Sequence, residues 1–241
     1  MTFPYEKEVN DMMARINGLQ HQLEIISDKL RYGETMPASN DEFTDGRAAS
    51  LKIMLSDLGI NLILIDLLVN VGTSNKTKVR AHERYYSNAT DYLRLALATI
   101  FQFRLENMVT NILAQFDKSA AANLGYTKKV ETLYDILAQD YVVLKERRER
   151  NFKVLMVLPY IRNSLHNNGY HKHEPLSITI YNVQFNFRKN GQVLCAGWKH
   201  ILIAIEATLN IVEKMLNSPK VKAIPPGQVP TYFVSERLAR D

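Results

Sequence analysis

The sequence has few of the features that mark secreted or membrane proteins. Its single cysteine, Cys195, cannot form an internal disulfide and indicates a reducing compartment. We expect no secretory signal, because Glu6, Glu8 and Asp11 interrupt the region where an apolar segment would lie. The most apolar window, 58–71, is shorter than the roughly 20 residues that a membrane span needs. We therefore expect a soluble, cytoplasmic protein without a membrane partner.

Glycine-rich phosphate loops and common hydrolase motifs are also missing. The chain contains no P-loop, no Gly-x-Gly-x-x-Gly and no Gly-x-Ser-x-Gly. His171 and His173 have the alternating spacing of a metal-binding pair on a strand, but no cysteine or carboxylate cluster elsewhere completes a zinc site. We therefore expect neither a metal nor another cofactor, and we interpret His171 to Glu174 as a loop with solvated histidines.

The charge balance is mildly basic. A net charge of +5 and a pI near 9.1 permit a nucleic-acid partner without requiring one, because the basic residues are spread along the chain. The densest charge run, Lys145 to Arg150, alternates in sign as a solvated helix face does, and its basic residues are also able to bind phosphates. An apolar fraction of 46% is ample for a sizeable core.

Most of the chain shows the apolar spacing of helices. Ala48 to Val71 is apolar on most faces, so we expect it to be buried centrally or at a subunit interface, with Asp66 on a narrow exposed stripe. Glu106 is expected to reach solvent at the edge of another apolar stripe, and Lys118 to Gly125 reads as a linker of small residues. Helical spacing runs through 9–30, 48–71, 80–115, 127–139, the stretch around Leu158, and 198–216.

The period changes from helical to alternating after residue 177. Apolar and polar residues alternate from Ile178 to Phe187, with a slip at Tyr181-Asn182 that suggests a bulge. Asn190-Gly191 is the strongest hairpin signal, because both central residues of a type I′ turn need positive φ. We therefore expect the return strand to begin at Val193-Leu194.

Together these patterns predict an all-α fold, a helical bundle of five to six helices with a small β-hairpin inserted before the last helix. The expected organisation has three parts. Residues 1–46 hold an amphipathic helix and a loop packed on the bundle, and residues 47–217 form the main helical domain with the hairpin at about 177–195. Residues 218–241 form a proline-rich C-terminal tail.

The densest group of chemically capable side chains lies in the helix around Leu158. Arg162 and His166 are four residues apart and share a face beside the apolar stripe. Pro159 should kink the helix, and Gly169 can end it in the left-handed conformation. Histidine can move the protons of RNA cleavage and arginine can pair with the phosphate, while Asn163 can bind phosphate or orient its neighbours. Alternatively, these polar groups only bond a facing helix.

The segment Ile161 to Gly169 resembles the signature of the HEPN superfamily (higher eukaryotes and prokaryotes nucleotide-binding domain). The resemblance implies an all-α bundle and a metal-independent endoribonuclease whose catalytic residues are Arg162, Asn163 and His166. It further implies RNA as partner and a homodimer in which two motifs face each other across a cleft. The setting would be a toxin–antitoxin or phage-defence system, with a cognate antitoxin or a nucleotidyltransferase as a further partner.

The spacing of the motif leaves other interpretations open. Three residues separate Arg162 from His166, one fewer than is usual in the family, which turns the histidine by about 100° around the helix. A non-catalytic HEPN-like interaction or structural module is therefore the alternative. A helical bundle unrelated to the family is a third.

Overall fold

A computed structural model describes residues 6–32, 45–74 and 83–230, and this part of the chain folds into nine helices and one β-hairpin. The helices are α1 (Glu6–Tyr32), α2 (Gly46–Ser74), α3 (Glu83–Leu113), α4 (Lys118–Asn123), α5 (Tyr126–Ala138), α6 (Val142–Lys145), α7 (Arg148–His166), α8 (Trp198–Leu216) and α9 (Pro219–Lys222). The strands are β1 (Leu176–Ile180) and β2 (Val183–Phe187). The predicted helical bundle with a hairpin before its last helices is confirmed.

One stretch predicted as a linker is helical. Residues Lys118–Asn123 form α4, because the side chain of Asp117 accepts a hydrogen bond from the Ala120 N–H at 2.8 Å and caps the first turn. Small residues such as Ala120 and Ala121 favour helix once such a cap is present. The helix packs against α3 and α5 and connects them.

The N-terminal helix packs on the bundle along its apolar seam. The seam residues that are buried are Val9, Met12, Ile16, Leu19, Leu23 and Ile26; the side chain of Leu30 lies outside the described residues. The seam faces α2 and α8. At its border, Arg15 pairs with Glu206 at 3.1 Å and Gln22 donates to Asn210 at 2.8 Å.

Helix α2 is apolar on two sides, of which only one is covered. One side packs on α1 and α3. A second stripe, which we call the α2 stripe, is exposed: Ile60, Ile63, Leu64 and Leu67 have exposed fractions of 52%, 61%, 39% and 54%. The prediction that Asp66 is exposed is confirmed. Even so, no described helix is long and apolar enough to cross a membrane.

Helices α3 and α7 form the centre of the bundle. Helix α3 contacts α2, α5, α7 and α8, and α7 contacts α3, α5 and α8 as well as β1. The two helices bury Leu97, Phe101 and Leu105 from α3 and Leu158 and Ile161 from α7. Arg162 lies half-buried at the edge of this contact, so it is held firmly and still reaches the surface, whereas Gln102 is buried.

The hairpin turns earlier than its strongest sequence signal indicates. Strands β1 and β2 pair antiparallel from Leu176–Phe187 to Ile180–Val183, so Tyr181-Asn182 is the two-residue turn rather than a bulge. Both residues have positive φ, 46° and 63°, as a type I′ turn requires. A second turn runs from Arg188 to Gly191, where the Gly191 N–H donates to the Arg188 carbonyl at 2.8 Å. Asn190 has a positive φ of 58° in this turn but Gly191 does not, so the type I′ turn predicted at Asn190-Gly191 was wrong. Beyond the turn, Val193 donates to the Gly169 carbonyl at 2.9 Å instead of pairing with β2. The expected return strand at Val193-Leu194 was therefore wrong.

The start of α2 is fixed to the chain that follows α8. Asp45 caps α2 by accepting from the Arg47 N–H at 2.9 Å. The same carboxylate pairs with the Arg47 guanidinium at 2.6 Å, and both side chains are buried. Arg47 also donates to the Val221 carbonyl at 2.7 Å, and the Gly227 N–H donates to Asp45 at 3.1 Å. Residues 231–241 of the predicted tail lie outside the described residues.

Candidate functional site

Arg162, Asn163 and His166 lie in the last two turns of helix α7, so the end of this helix sets their positions. The helix continues through Pro159 and stops at His166. Asn168 and Gly169 then take positive φ, 53° and 87°, and the Gly169 N–H donates to the Ser164 carbonyl at 2.8 Å. The helix therefore ends in a left-handed turn as predicted, but Asn168 takes the first left-handed position, C′, and Gly169 follows it.

Arg162 and Asn163 are held together on the half-buried side of α7. The Arg162 Nη1 atom donates to Asn163 Oδ1 at 3.2 Å. In the part of the chain that the structure describes, no carboxylate forms an ion pair with Arg162. Its guanidinium therefore keeps donors available for a ligand, and Asn163 fixes its orientation.

Asn163 reaches a histidine, but not the one in the predicted motif. Its Nδ2 atom lies 3.4 Å from Nε2 of His173. His166 is exposed in the last turn of α7 and forms no hydrogen bond or ion pair with any described residue. The structure thus brings Arg162 and Asn163 together with His173 and leaves His166 at the rim.

His173 rests on an aromatic cluster formed with Tyr160, His171 and Phe187. The rings of Tyr160 and His173 are nearly parallel, 18° apart with centroids at 5.8 Å. Tyr160 meets His171 at 4.5 Å and the edge of Phe187 at 5.5 Å. Burial, and then the charge of Glu174, raises the pKa of Tyr160, so its hydroxyl is protonated at neutral pH. Exposed His173 is therefore supported from one side by a rigid ring.

His171 anchors the loop that carries His173. We expected a solvated side chain, but His171 is buried against Tyr160 and Phe187, which no local pattern indicates. Its Nε2 atom lies 2.9 Å from the Glu174 carbonyl, and since a carbonyl only accepts, Nε2 carries a proton. The backbone N–H of His171 donates to Gly191 at 2.9 Å. These bonds fix the loop against the second turn.

Two clefts meet at Arg162. The first cleft, of about 310 Å³, lies between α3, the start of α5 and α7. The second, of about 280 Å³, lies beside α2 and α3. Three residues line both: Gln102, Glu106 and Arg162. We call the combined depression the Arg162 groove, and its size lies within the range of small-ligand sites once the two clefts are taken together.

Two residues that line the Arg162 groove have a buried polar atom without a hydrogen-bond partner among the described residues, namely Gln102 Oε1 and the Tyr126 hydroxyl. In the neighbouring loop, His171 Nδ1 is a third such atom. Gln102 is only 3% exposed. Burial raises the pKa of Tyr126; the nearby Gln102 amide opposes this in part, although the two groups do not reach hydrogen-bond geometry, and the charge of Glu106 adds to it. Buried polar groups are usually paired, so unpaired ones beside a cleft point to a missing ligand.

Glu106 and the start of α5 both border the first cleft, and Glu106 is more buried than predicted. Glu106 is half-buried at the junction of the clefts, because α5 and α7 cover the side of α3 that the sequence places at the solvent edge. The N-cap of α5 is Gly125, and no side chain caps the free N–H groups of this helix. Lys128 lines the same cleft but is paired with Glu131 at 2.6 Å.

No family model, curated protein or solved structure matches this chain. The likeness to the HEPN signature therefore rests on Ile161 to Gly169. Among the described residues, no group of three or more His, Cys, Asp or Glu side chains could hold a metal ion. The candidate site therefore consists of half-buried Arg162, Asn163 and exposed His173 beside the Arg162 groove.

Gln102 and Tyr126 were not predicted as site residues, and His173 was predicted only as part of a solvated loop. One local signal was present for the first of these. Gln102 lies between Phe101 and Phe103 in a predicted helix, and a polar residue so placed is either a buried ligand group or paired. Tyr126 and His173 carry no comparable signal, because their positions depend on contacts between distant elements.

Proposed function

We propose that the protein binds RNA in the Arg162 groove and cleaves it as a metal-independent endoribonuclease. The observation that supports this most is the half-buried guanidinium of Arg162, which is oriented by Asn163, unpaired by any described carboxylate, and located where two clefts meet. Arginine binds phosphate through parallel N–H donors, and a fixed guanidinium can stabilise the charge that develops during phosphoryl transfer.

The proposed reaction uses the ribose itself as nucleophile. The 2′-hydroxyl displaces the Asn163 amide, whose N–H otherwise donates to His173 Nε2, and Nε2 then takes the proton from that hydroxyl. The resulting oxyanion attacks the adjacent phosphorus. The bond from phosphorus to the 5′ oxygen breaks, and that oxygen takes a proton from water. The products are a 2′,3′-cyclic phosphate and a 5′-hydroxyl end. Arg162 holds the phosphate, while Asn163 positions both side chains.

His173 and His166 are the two candidates for the proton transfer. We favour His173, because Asn163 and the ring of Tyr160 hold it, whereas His166 has no such support. We expect His173→Ala to lower the rate of RNA cleavage in EDTA by about 100-fold. His166→Ala should change the rate less than about 3-fold, since no proton transfer depends on it. Cleavage of a mixed RNA pool, followed by gel electrophoresis, measures both.

The two single variants serve as controls for each other, because each removes one exposed imidazole. If His166→Ala greatly lowered the cleavage rate and His173→Ala did not, the proton transfer would be assigned to His166 of the predicted motif. Equal activity of both variants and wild type would exclude either histidine. In that case the non-catalytic alternative, an RNA-binding or interaction module, would replace the enzymatic proposal.

We also propose that the chain forms a homodimer through the α2 stripe. Its four exposed apolar residues follow the spacing of one helix face, and a second copy would present the same surface about a twofold axis. Exposed Ile100 and Phe103 on α3 line the second cleft, so an apolar region also borders the Arg162 groove.

Sedimentation velocity can test this interface with a single substitution. Ile63→Asp puts a charge at the most exposed residue of the α2 stripe, so we expect a dimer to dissociate at least 10-fold more readily. Val142→Asp is the matched control, because Val142 is 63% exposed but lies in α6. A monomeric wild type, or equal effects of both variants, would contradict the proposal.

The cellular setting is supported by the resemblance alone. A cytoplasmic toxin or phage-defence nuclease would need restraint by a cognate antitoxin or a nucleotidyltransferase partner. Co-purification of the chain with the product of a neighbouring gene is the direct test, and a chain that is harmless when expressed alone would remove the toxin interpretation.

A further inference from the structure

We propose that the Arg162 groove selects a guanosine nucleotide, with the phosphate at Arg162 and the guanine at Gln102 and Glu106. This deepens the proposed function, since Arg162 takes the phosphate in both. The new element is the base that the groove recognises. It is carried by Gln102 Oε1, which is buried without a partner among the described residues, and by the neighbouring Glu106 carboxylate, because both residues lie at the junction of the two clefts.

The phosphate end of the groove is the cleft at the start of α5. The residues of the first turn of α5 line this cleft together with Arg162, and no side chain caps the N–H groups of that turn. Free N–H groups at a helix start and an arginine are both favourable partners of a phosphate. Lys128 adds positive charge nearby, although its ammonium is shared with Glu131.

The base end offers two acceptors on one helix face. Gln102 and Glu106 are four residues apart on α3, so their side chains are neighbours, and both line both clefts. Gln102 Oε1 is buried without a partner. Guanine presents two adjacent donors, N1–H and N2–H, which match an amide oxygen beside a carboxylate. Adenine presents one donor, N6–H, beside the acceptor N1, so it can pair with only one of these oxygens and leaves the other facing N1.

The second cleft supplies a surface for the face of the ring. Ile100 and Phe103 line it and are 36% and 46% exposed. Single-stranded bases bind proteins by stacking on such side chains while their Watson–Crick edges form hydrogen bonds. Because Gln102, Glu106 and Arg162 border both clefts, one nucleotide can place its phosphate in the first and its base in the second.

Isothermal titration calorimetry of the full chain with GMP, AMP and inorganic phosphate tests this selectivity. We expect GMP to bind at least about 10-fold more tightly than AMP. Glu106→Gln and Gln102→Met should each weaken GMP binding by about 10-fold and leave AMP binding within about 2-fold. Glu106→Gln keeps the size of a half-buried side chain, so the test stands even if Gln102→Met does not fold. Glu146→Gln, an exposed change outside the groove, should have no effect.

Equal binding of GMP and AMP, no binding of GMP, or an unchanged preference in Glu106→Gln would overturn the inference. Binding of poly(A) separates it from the proposed function. If poly(A) binds through Arg162 but GMP is not preferred, RNA binding stands and guanine selection fails. If GMP is preferred and no RNA is cleaved, guanine selection stands and the nuclease proposal fails.

Discussion

Replacing Arg162 by alanine is expected to lower the rate of RNA cleavage in EDTA by about 100- to 1000-fold, because a fixed donor to the reacting phosphate is lost. Arg162→Lys should recover only part of the rate, since lysine keeps the charge but not the forked donors. The free energy of unfolding should fall by less than about 1 kcal/mol, because within the described residues the Arg162 side chain forms one hydrogen bond, to Asn163. Initial cleavage rates and urea unfolding measure these effects.

Arg188 offers a matched control for this substitution. It is exposed just after β2 and lies outside the Arg162 groove, so Arg188→Ala removes the same charge at a different place. We expect its cleavage rate to stay within about 2-fold of wild type, since an exposed charge outside the groove acts weakly through solvent. Equal losses in the two variants would mean that general positive charge, rather than the groove, binds RNA.

Arg47→Met is expected to cause the largest loss of stability, about 3–5 kcal/mol, because it leaves the Asp45 carboxylate buried without its partner. It also removes the donor to the carbonyl of Val221, which joins α2 to the chain after α8. Arg15→Met is the control, since the Arg15–Glu206 pair is over one-third exposed and should contribute less than about 1 kcal/mol. Similar losses in the two variants, measured by urea unfolding, would contradict this.

The contribution of the Asp45–Arg47 pair to stability depends on pH, and the direction follows from the pKa of Asp45. Burial alone would raise the pKa of Asp45, but hydrogen bonds and charge from Arg47 outweigh it and place the pKa below its ordinary value. Because the folded carboxyl binds protons less readily than the unfolded one, its contribution is present above the unfolded pKa of about 3.9. It is lost as the pH falls through the folded pKa. The difference between wild type and Arg47→Met should therefore shrink in that acidic range.

The sequence predicted those elements whose pattern is local and repeated. Helix α8 was expected at 198–216, and the structure places it at Trp198–Leu216, because its apolar residues keep helical spacing from end to end. The hairpin was expected, but its turn was misplaced. Taken alone, Asn190-Gly191 is the stronger turn signal. However, β1 pairs with β2 across the turn at Tyr181-Asn182, and this pairing buries Phe185 and Phe187 in the core.

Only those residues of the candidate site that lie together on one helix could be predicted from the sequence. Arg162 and Asn163 stand out from the sequence of α7, and the structure places both at the groove. The contact of Asn163 with His173 requires the loop after α7 to be fixed by buried His171. Gln102 enters the same groove only because α3 packs on α7. Such convergence depends on tertiary packing and has no period that a single sequence reveals.

The most direct test is the chemical identity of the RNA ends that purified protein produces in EDTA, determined by mass spectrometry. The account predicts a 2′,3′-cyclic phosphate and a 5′-hydroxyl end, no cleavage where the 2′-hydroxyl is replaced by hydrogen, and loss of both products in Arg162→Ala. Intact RNA after incubation with wild type, products with a 5′-phosphate, or unchanged cleavage by Arg162→Ala would contradict it.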